Sequence, residues 1–262
     1  MGRVLSKTEL KEFLNEKYDL YNNTNFIETD PIQIPHLFTQ KEDIEIAGFL
    51  TATIAWGQRV TIINNATKML KLMGSSPHDF LMSAKEKELT RFDAFVHRTF
   101  NGTDAVFFMK SLQNIYKKQG GLEQAFAIGS NQGEFPLLHS IMNFRNLFFS
   151  IPFPLRSGKH VSNPSENSSA KRLCMYLRWM VRTDKRGVDF GIWKSSKLTP
   201  VQLMCPLDIH SGNVARKLGL LKRTQNDWKA VEELTRNLRT FDPKDPVKYD
   251  FALFGLGAFE KF

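Results

Sequence analysis

The sequence predicts an all-α protein that folds as one compact domain over residues 1–262, with 1–150 and 151–262 as candidate lobes around a central cleft. Apolar residues recur three and four positions apart along most of the chain, which is the spacing of amphipathic helices. No convincing pair of alternating strands is visible. Hydrophobic residues make up 42% of the 262 positions, enough for a substantial core. We therefore expect about nine or ten helices.

The first half of the chain is predicted to form five helices separated by turn-forming residues. Gly74, with Pro77 just beyond it, provides the expected end of the third helix. Thr103 or Asp104 is expected to cap the fourth helix. The predicted helices cover residues 8–21, 41–58, 60–73, 103–116 and 134–150.

The second half begins with the longest polar loop of the chain, residues 151–169, which is the only candidate boundary between the two lobes. A helix is predicted over 170–183, with Lys171, Arg178 and Arg182 on its polar side. The stretch that follows, up to residue 205, is expected to be irregular. The last three predicted helices cover residues 208–219, 225–239 and 246–258.

The positive charge of the chain is concentrated in one segment. The 36 Lys and Arg residues and 27 Asp and Glu residues give a net charge of +9, and residues 156–197 alone carry ten basic and three acidic side chains. A basic face of this kind predicts a polyanionic partner, usually a nucleic acid. The alternative is a solvated face that only keeps the protein soluble.

Several classes of protein are excluded by what the sequence lacks. No apolar run approaches the roughly 18–20 residues needed to span a bilayer, and the first residues lack the apolar stretch of a secretory signal. The two cysteines, Cys174 and Cys205, are too few for a disulfide framework or a four-thiolate metal site. His97, His139 and His160 show no metal-ligand spacing. We therefore expect a soluble, cytoplasmic protein with no membrane association, no metal and no cofactor.

Asp208 is a strong candidate for a functional residue. It lies just before a predicted helix, in the N-cap position, where its carboxylate accepts a backbone N–H bond and is stabilised by the helix dipole. An anion fixed in this way is useful wherever positive charge develops beyond the helix end. The alternative is an aspartate that only caps the helix.

The segment around Asp208, residues 206–220 (PLDIHSGNVARKLGL), resembles a motif of the helix-hairpin-helix DNA glycosylase superfamily. In that family a Pro, one further residue, an Asp and usually a His precede a helix with a Val-Ala-Arg-like core and a closing Leu-Gly. The resemblance implies that Asp208 is the essential aspartate. The matching positions are Pro206, Asp208, His210, Val214, Ala215, Arg216, Leu218, Gly219 and Leu220.

Residues 49–74 are similar to an early helix pair of the same superfamily. There, an apolar helix ends in a small residue and a Gln, and a second helix with Ala at its middle follows. The resemblance implies that Gln58 enters the DNA stack and fills the space left by an extruded base, with Arg59 beside it on the DNA. The alternative is a polar residue at a helix end with no such role.

A third segment, residues 167–173 (NSSAKRL), occupies the place of the family's phosphate-binding Gly-x-Gly turn and its catalytic lysine. The resemblance implies that Lys171 is the nucleophile and that the turn holds a phosphate. Asn and Ser replace the two glycines, and Ser adopts the left-handed conformation poorly, which allows a turn of different shape. The 37 residues from Lys171 to Asp208 also exceed the usual separation. The alternative for Lys171 is a solvated cation in a basic run.

The resemblance covers residues 44–74 and 160–258, and it extends to an uncharacterised, mainly bacterial glycosylase-like family in which the segments 178–182 and 188–193 recur. No cysteine follows Cys205, so the iron–sulfur cluster of many relatives is not expected. The implied function is base excision from damaged double-stranded DNA by a monomer, with or without a lyase step through a Lys171 Schiff base. Lys171 and Asp208 are the implied catalytic residues, and the expected DNA contacts are Gln58, Arg59, Asn167, Ser168, Ser169, Arg172, Lys185, Arg186 and His210.

Two other functions remain open on the sequence alone. One is a nucleic-acid-binding protein that keeps the fold without the chemistry, which the altered hairpin and the long separation between Lys171 and Asp208 favour. The other is a pocket for a small molecule unrelated to DNA, since a fold does not dictate a function. The tryptophans at 56, 179, 193 and 228 are candidates to stack on a base, although Trp is more often part of a core.

Overall fold

The computed structural model describes residues 5–130 and 133–262, and these described residues are 63% helix and 2% strand. The described residues form thirteen α-helices, of which ten have seven residues or more. None of these helices is long and apolar enough to cross a membrane. In chain order they are α1 (Lys7–Tyr21), α2 (Asn25–Thr29), α3 (Lys41–Thr53), α4 (Arg59–Leu72), α5 (Pro77–Ser83), α6 (Glu86–Leu89), α7 (Gly102–Gln119), α8 (Leu122–Ala127), α9 (Pro136–Phe148), α10 (Lys171–Val181), α11 (Ile209–Lys217), α12 (Trp228–Arg239) and α13 (Tyr249–Ala258).

Short 3₁₀-helices and one small hairpin connect these helices. The strands β1 (Val96–His97) and β2 (Phe100–Asn101) pair antiparallel, and at two residues each they are too short to show an alternating pattern in the sequence. Five of the seven 3₁₀-helices begin at a proline, a residue whose fixed φ suits the first helical position. They are Pro31–Gln33, Pro35–Leu37, Thr90–Phe92, Leu155–His160, Pro164–Glu166, Pro200–Gln202 and Pro246–Lys248.

Helix α3 lies at the centre of the fold. Every residue from Asp43 to Thr53 is buried, as expected for a helix that is covered on all sides. It packs against α4, α5 and α10, and the Phe49 ring lies 5.5–6.1 Å from the rings of Phe108, Phe144, Phe148 and Tyr176. Many of the 22 phenylalanines of the chain are therefore part of one aromatic core.

The two ends of the chain are joined by helix packing. Helix α1 packs along α13, which in turn packs against α11. Gly255 is required at the contact with α1, because a side chain there would meet the Tyr21 ring. Helix α13 thereby connects the first helix of the chain to α11, the helix that follows Asp208.

The cap of α7 differs from the one predicted. Asn101, rather than Thr103 or Asp104, is the N-cap residue, and its side chain accepts the backbone N–H of Asp104 at 3.4 Å. Asp104 is the third residue of the helix and accepts the backbone N–H of Asn101 at 3.0 Å. A reciprocal pair of this kind is a capping box, so Asp104 takes part in the cap from inside the helix.

The predicted polar side of α10 is wrong for two of its three residues. Arg178 is 4% exposed and Arg182 is fully buried. Arg178 pairs with Asp250 at 2.6 Å, and Arg182 pairs with Asp189 and Asp245, both at 2.9 Å. None of these partners lies on α10, and Asp245 and Asp250 are 63 and 72 residues away from their arginines, so helical periodicity alone did not reveal that the two arginines are buried.

The segment after α10 explains this burial. It folds back along the helix, with the backbone N–H of Phe190 donating to the carbonyl of Trp179 at 2.8 Å and that of Trp193 to the carbonyl of Met180 at 3.1 Å. This return brings Asp189 to the two buried guanidinium groups. The basic segment 156–197 is therefore not one continuous positive face, since part of its charge is neutralised inside the protein.

Candidate functional site

A cleft of about 530 Å³ lies where the first turns of α4, α10 and α11 meet the end of α13. We use "the cleft" for this space and "the inner chamber" for a smaller one, of about 30 Å³, that lies beside it. The two spaces share Asp30, Lys171, Met175, Asp208 and Phe254. The volume of the cleft falls in the range of small-ligand sites.

Lys171 and Asp208 meet in the wall shared by the cleft and the inner chamber. Lys171 Nζ lies 3.8 Å from Asp208 Oδ2, and the two side chains are 25% and 29% exposed. Nζ also lies 3.4 Å from Met175 Sδ, one turn further along α10. A primary amine and a carboxylate are thus both reachable from the cleft and close enough to act on the same atom.

The other oxygen of Asp208 is held by the helix that follows. Oδ1 accepts the backbone N–H of Ser211 at 3.0 Å, and Ser211 Oγ accepts the backbone N–H of Asp208, also at 3.0 Å. The prediction that Asp208 caps this helix is confirmed. The cap uses Oδ1 and leaves Oδ2 on the side of Lys171, so capping and a functional role are compatible.

Lys171 and Asp208 are 37 residues apart in sequence, and the chain between them folds so that the two side chains meet. After returning along α10, the chain enters a buried run from Leu203 to Leu207 that leads directly to Asp208. The backbone N–H of Cys205 donates to Thr235 Oγ1 at 3.0 Å and ties this run to α12. The chain between Lys171 and Asp208, although longer than usual, therefore brings the first turns of α10 and α11 side by side.

The turn before α10 has two non-glycine residues in the left-handed region. Asn167 has φ 64° and Ala170 has φ 47°, whereas Ser168 and Ser169 do not have positive φ. The second glycine-like position is thus Ala170 and not Ser169. Ser168 instead supports the turn, because its Oγ accepts the backbone N–H of Ala170 at 3.2 Å. A left-handed conformation costs a non-glycine residue about 1–2 kcal/mol.

The first turn of α10 also breaks the usual charge preference of a helix start. Ala170 provides no side-chain cap, and Lys171 and Arg172 bring two cations to the positive end of the helix dipole, with no acidic residue in that turn. Backbone strain and unfavourable charge placement together are typical of functional sites, where a locally less stable conformation positions the functional side chains.

Trp56 forms a flat, firmly held wall of the cleft. The Arg172 guanidinium lies 4.8 Å from the indole ring, and the His160 ring stacks on it at 6.0 Å. His97 Nε2 lies 3.2 Å from the carbonyl oxygen of Trp56, so the backbone is fixed as well. Burial lowers the pKa of His160 to about 4, which leaves this ring uncharged at neutral pH. The other three tryptophans are buried, at 0–4% exposure.

Other predicted DNA contacts also lie at or beside the cleft. Arg59 lines it, with its guanidinium 4.9 Å from the Phe254 ring and 5.1 Å from the Phe259 ring. His210 lines it beside Asp208 and is exposed. Gln58 is the exposed N-cap residue of α4 and makes no capping hydrogen bond, so its side chain is not engaged by the helix.

Lys185 and Arg186 are not brought to the cleft. They follow the C-terminal end of α10, and Lys171 is at its first turn, about 15 Å away along the helix at 1.5 Å per residue. Arg186 pairs with Asp19 of α1 at 2.5 Å and lies 4.5 Å from the Tyr18 ring. Both remain exposed, on a different part of the surface from the cleft.

Two carboxylates of this site carry no recognisable functional motif in the sequence. Asp30, 8% exposed, lines both the cleft and the inner chamber, and burial raises its pKa above the usual range. Asp250, 6% exposed, lines the inner chamber, and burial raises its pKa to about 6 despite the nearby Arg178. Asp30 followed by Pro31 is a recognisable helix start, because Asp is a common N-cap residue and Pro suits the first helical position.

A metal site is not seen in the part of the chain that the structure describes: no group of three or more His, Cys, Asp or Glu side chains is arranged to hold an ion. The profile of one protein family, described as a protein of unknown function (DUF2400), matches residues 30–259. Every cleft residue named above falls within that range. No match was found among curated proteins or among solved structures.

Proposed function

The chain belongs to the DUF2400 family, and we propose that it is a DNA base-excision glycosylase of the helix-hairpin-helix type. The observation that carries this proposal is the distance of 3.8 Å between Lys171 Nζ and Asp208 Oδ2 in the wall of the cleft. Removing a base from a sugar calls for a nucleophile and for a fixed negative charge near the sugar. The lysine and the aspartate supply these two groups.

The walls of the cleft suit an extruded base. Trp56 offers an aromatic face on which a base can stack, and stacking of this kind contributes about 1–3 kcal/mol. Arg59 and Arg172 bring positive charge to the same space, where it can attract the DNA backbone. Gln58, exposed beside Arg59, is the residue that would fill the gap left in the duplex.

In the proposed reaction Lys171 attacks C1′ of the sugar as a neutral amine. The Nζ lone pair forms a bond to C1′ as the bond from C1′ to the base breaks. The base leaves with the two electrons of the broken bond and takes up a proton. Asp208 stabilises the positive charge on the sugar or accepts the proton that Nζ loses. The C1′–O4′ bond of the sugar ring then breaks, O4′ takes up a proton, and the nitrogen lone pair forms the C=N bond of a Schiff base, from which the 3′ strand can be eliminated.

A simpler route uses the same two residues without a covalent intermediate. Asp208 then activates a water molecule that attacks C1′, and Lys171 contributes positive charge near the phosphates. This route releases the base and leaves the DNA strand intact. The two routes differ in whether a covalent adduct forms with the protein.

The proposal is tested by single-turnover release of bases from duplexes that each carry one modified base. Wild type should release at least one of them, and Lys171→Ala should lower that release by 100-fold or more on the covalent route, as expected when a reacting group is removed (about 10²–10⁴). Lys229→Ala, which removes an exposed lysine of α12, is the matched control and should retain full activity. Lack of release by wild type from every duplex contradicts the proposal.

A second function, nucleic-acid binding without catalysis, is favoured by one observation. The turn before Lys171 follows a 3₁₀-helix of only three residues, Pro164–Glu166, in place of the first long helix of a helix-hairpin-helix unit. Duplex binding by wild type without base release from any duplex would support this function over the enzyme.

A further inference from the structure

Asp30 uses only one of its two carboxylate oxygens within the protein. Oδ1 accepts the backbone N–H of Ile32 at 3.0 Å and caps the 3₁₀-helix Pro31–Gln33. In the described residues, Oδ2 accepts no hydrogen bond, and no cation forms an ion pair with Asp30. The residue is nevertheless 8% exposed, and the surface that it retains is in the wall of the cleft and the inner chamber.

A second residue that lines the inner chamber, Trp179, also has a polar group without a partner. Trp179 is fully buried, and its Nε1–H has no acceptor among the described residues. Buried donors and acceptors without partners are uncommon, because each costs free energy relative to a hydrogen-bonded one. The inner chamber is therefore lined by a carboxylate with one oxygen unpaired, Asp30, and by a tryptophan whose N–H is unpaired, Trp179, together with the apolar rings of Phe251 and Phe254.

Capping alone does not explain Asp30, as a comparison with Asp227 shows. Asp227 is also an N-cap residue and is also 8% exposed. Its Oδ1 accepts the backbone N–H of Ala230 at 3.0 Å and Arg223 Nε at 2.7 Å, and its Oδ2 pairs with the same arginine. A buried capping aspartate in this protein can thus have both oxygens paired, which Asp30 does not.

We propose that Asp30 selects the base that the enzyme removes, by accepting a hydrogen bond from a ring N–H at the edge of that base. The inference rests on the proposed function. With Trp179 as the neighbouring donor, the favoured edge carries an N–H next to a carbonyl oxygen, the lactam group of oxo-purines and oxo-pyrimidines. At about 30 Å³ the inner chamber accommodates about two water-sized groups, which matches the N–H and the carbonyl oxygen of such an edge, and the ring would remain in the adjoining cleft of about 530 Å³.

The test compares wild type, Asp30→Asn and Asp227→Asn on duplexes that carry uracil, N3-methyluracil, hypoxanthine or 8-oxoguanine. Single-turnover base release is measured for each, together with melting temperature. Asn caps a helix about as well as Asp, so both variants should fold. We expect Asp30→Asn to slow release of the preferred lactam base by tenfold or more, because the hydrogen bond from the base to the carboxylate is lost. We expect N3-methyluracil, which lacks the N–H, to be a poor substrate for all three proteins.

The ratio of rates between bases separates selection from a structural role. An unchanged ratio in Asp30→Asn, with its fold intact, overturns the inference and leaves the glycosylase proposal standing. The same change of ratio in Asp227→Asn also overturns it, because that variant lies outside the cleft. If wild type releases only bases without a lactam edge, the inference is wrong. If it releases no base from any duplex, the proposed function is wrong as well.

Discussion

Asp208 and Ser211 form a reciprocal capping box that fixes one carboxylate oxygen of the aspartate and leaves the other free to face Lys171. The bond to Oδ1 sets the orientation of the carboxylate without neutralising it. Because Ser211 is itself buried, the box is protected from solvent. The same capping interaction that stabilises the start of α11 thereby also aims a negative charge into the cleft.

The first prediction separates the two roles of Asp208. Asp208→Asn should leave the melting temperature near that of wild type, because Asn caps about as well as Asp. Base release should be lost, because the amide supplies no negative charge to the sugar. The paired measurement is melting temperature and single-turnover base release on one preparation. If the Asp208→Asn variant still releases the base, Asp208 has only a structural role.

The second prediction concerns the charges that hold DNA. Duplex affinity should fall steeply with added salt, because counterions are released when cations meet phosphates. Arg59→Ala, at the cleft, should weaken binding on all sequences and lower the slope of log affinity against log salt by about 1. Arg186→Ala should have the smaller effect, since Arg186 is paired with Asp19 away from the cleft. Binding that does not depend on salt, or equal effects of the two variants, would contradict this assignment.

The third prediction concerns the ion pairs of Arg182. Removing this fully buried guanidinium leaves three carboxylates, those of Asp184, Asp189 and Asp245, without their shared partner. Arg182→Ala should lower the free energy of unfolding by about 3–5 kcal/mol, measured by urea denaturation. Lys185→Ala, an exposed basic residue three positions later, should change it by less than about 0.5 kcal/mol. Comparable effects of the two changes would contradict the buried cluster.

The fourth prediction is a pH dependence of stability that arises from Glu45. This carboxyl is 2% exposed, and burial raises its pKa to about 7, although Tyr116 and Trp193 donate hydrogen bonds to it. A raised pKa in the folded state means that the folded protein binds the proton more tightly than the unfolded chain. The stabilising contribution of Glu45 is therefore complete at low pH and is lost as pH rises from about 4.5 to about 7.

Urea denaturation at pH 5 and pH 7.5 checks this sign. The difference in unfolding free energy between wild type and Glu45→Gln should be larger at pH 5, because only the wild-type contribution changes with pH. Glu12→Gln, on the exposed side of α1, is the control and should give the same difference at both values. A wild-type advantage that grows toward pH 7.5 would show the opposite sign and contradict the prediction.

The parts of the structure that the sequence predicted are those set by local interactions. Asp208 was identified as an N-cap because capping depends on a few neighbouring residues. The burial of Arg182 and the position of Asp30 were missed, because the first depends on partners up to 63 residues away and the second on how a short 3₁₀-helix is placed against α3 and α4. The left-handed conformation of Ala170 was also missed, because alanine rarely adopts it and the sequence therefore gives no sign of it.

The most direct test of the account is to trap a covalent adduct between Lys171 and DNA. Wild type is incubated with duplexes carrying modified bases in the presence of borohydride, and the attached residue is identified by peptide mass spectrometry. We predict an adduct on Lys171 that is absent from Lys171→Ala and retained in Lys229→Ala. Base release by wild type with no adduct, or an adduct on another lysine, would contradict the claim that Lys171 is the nucleophile.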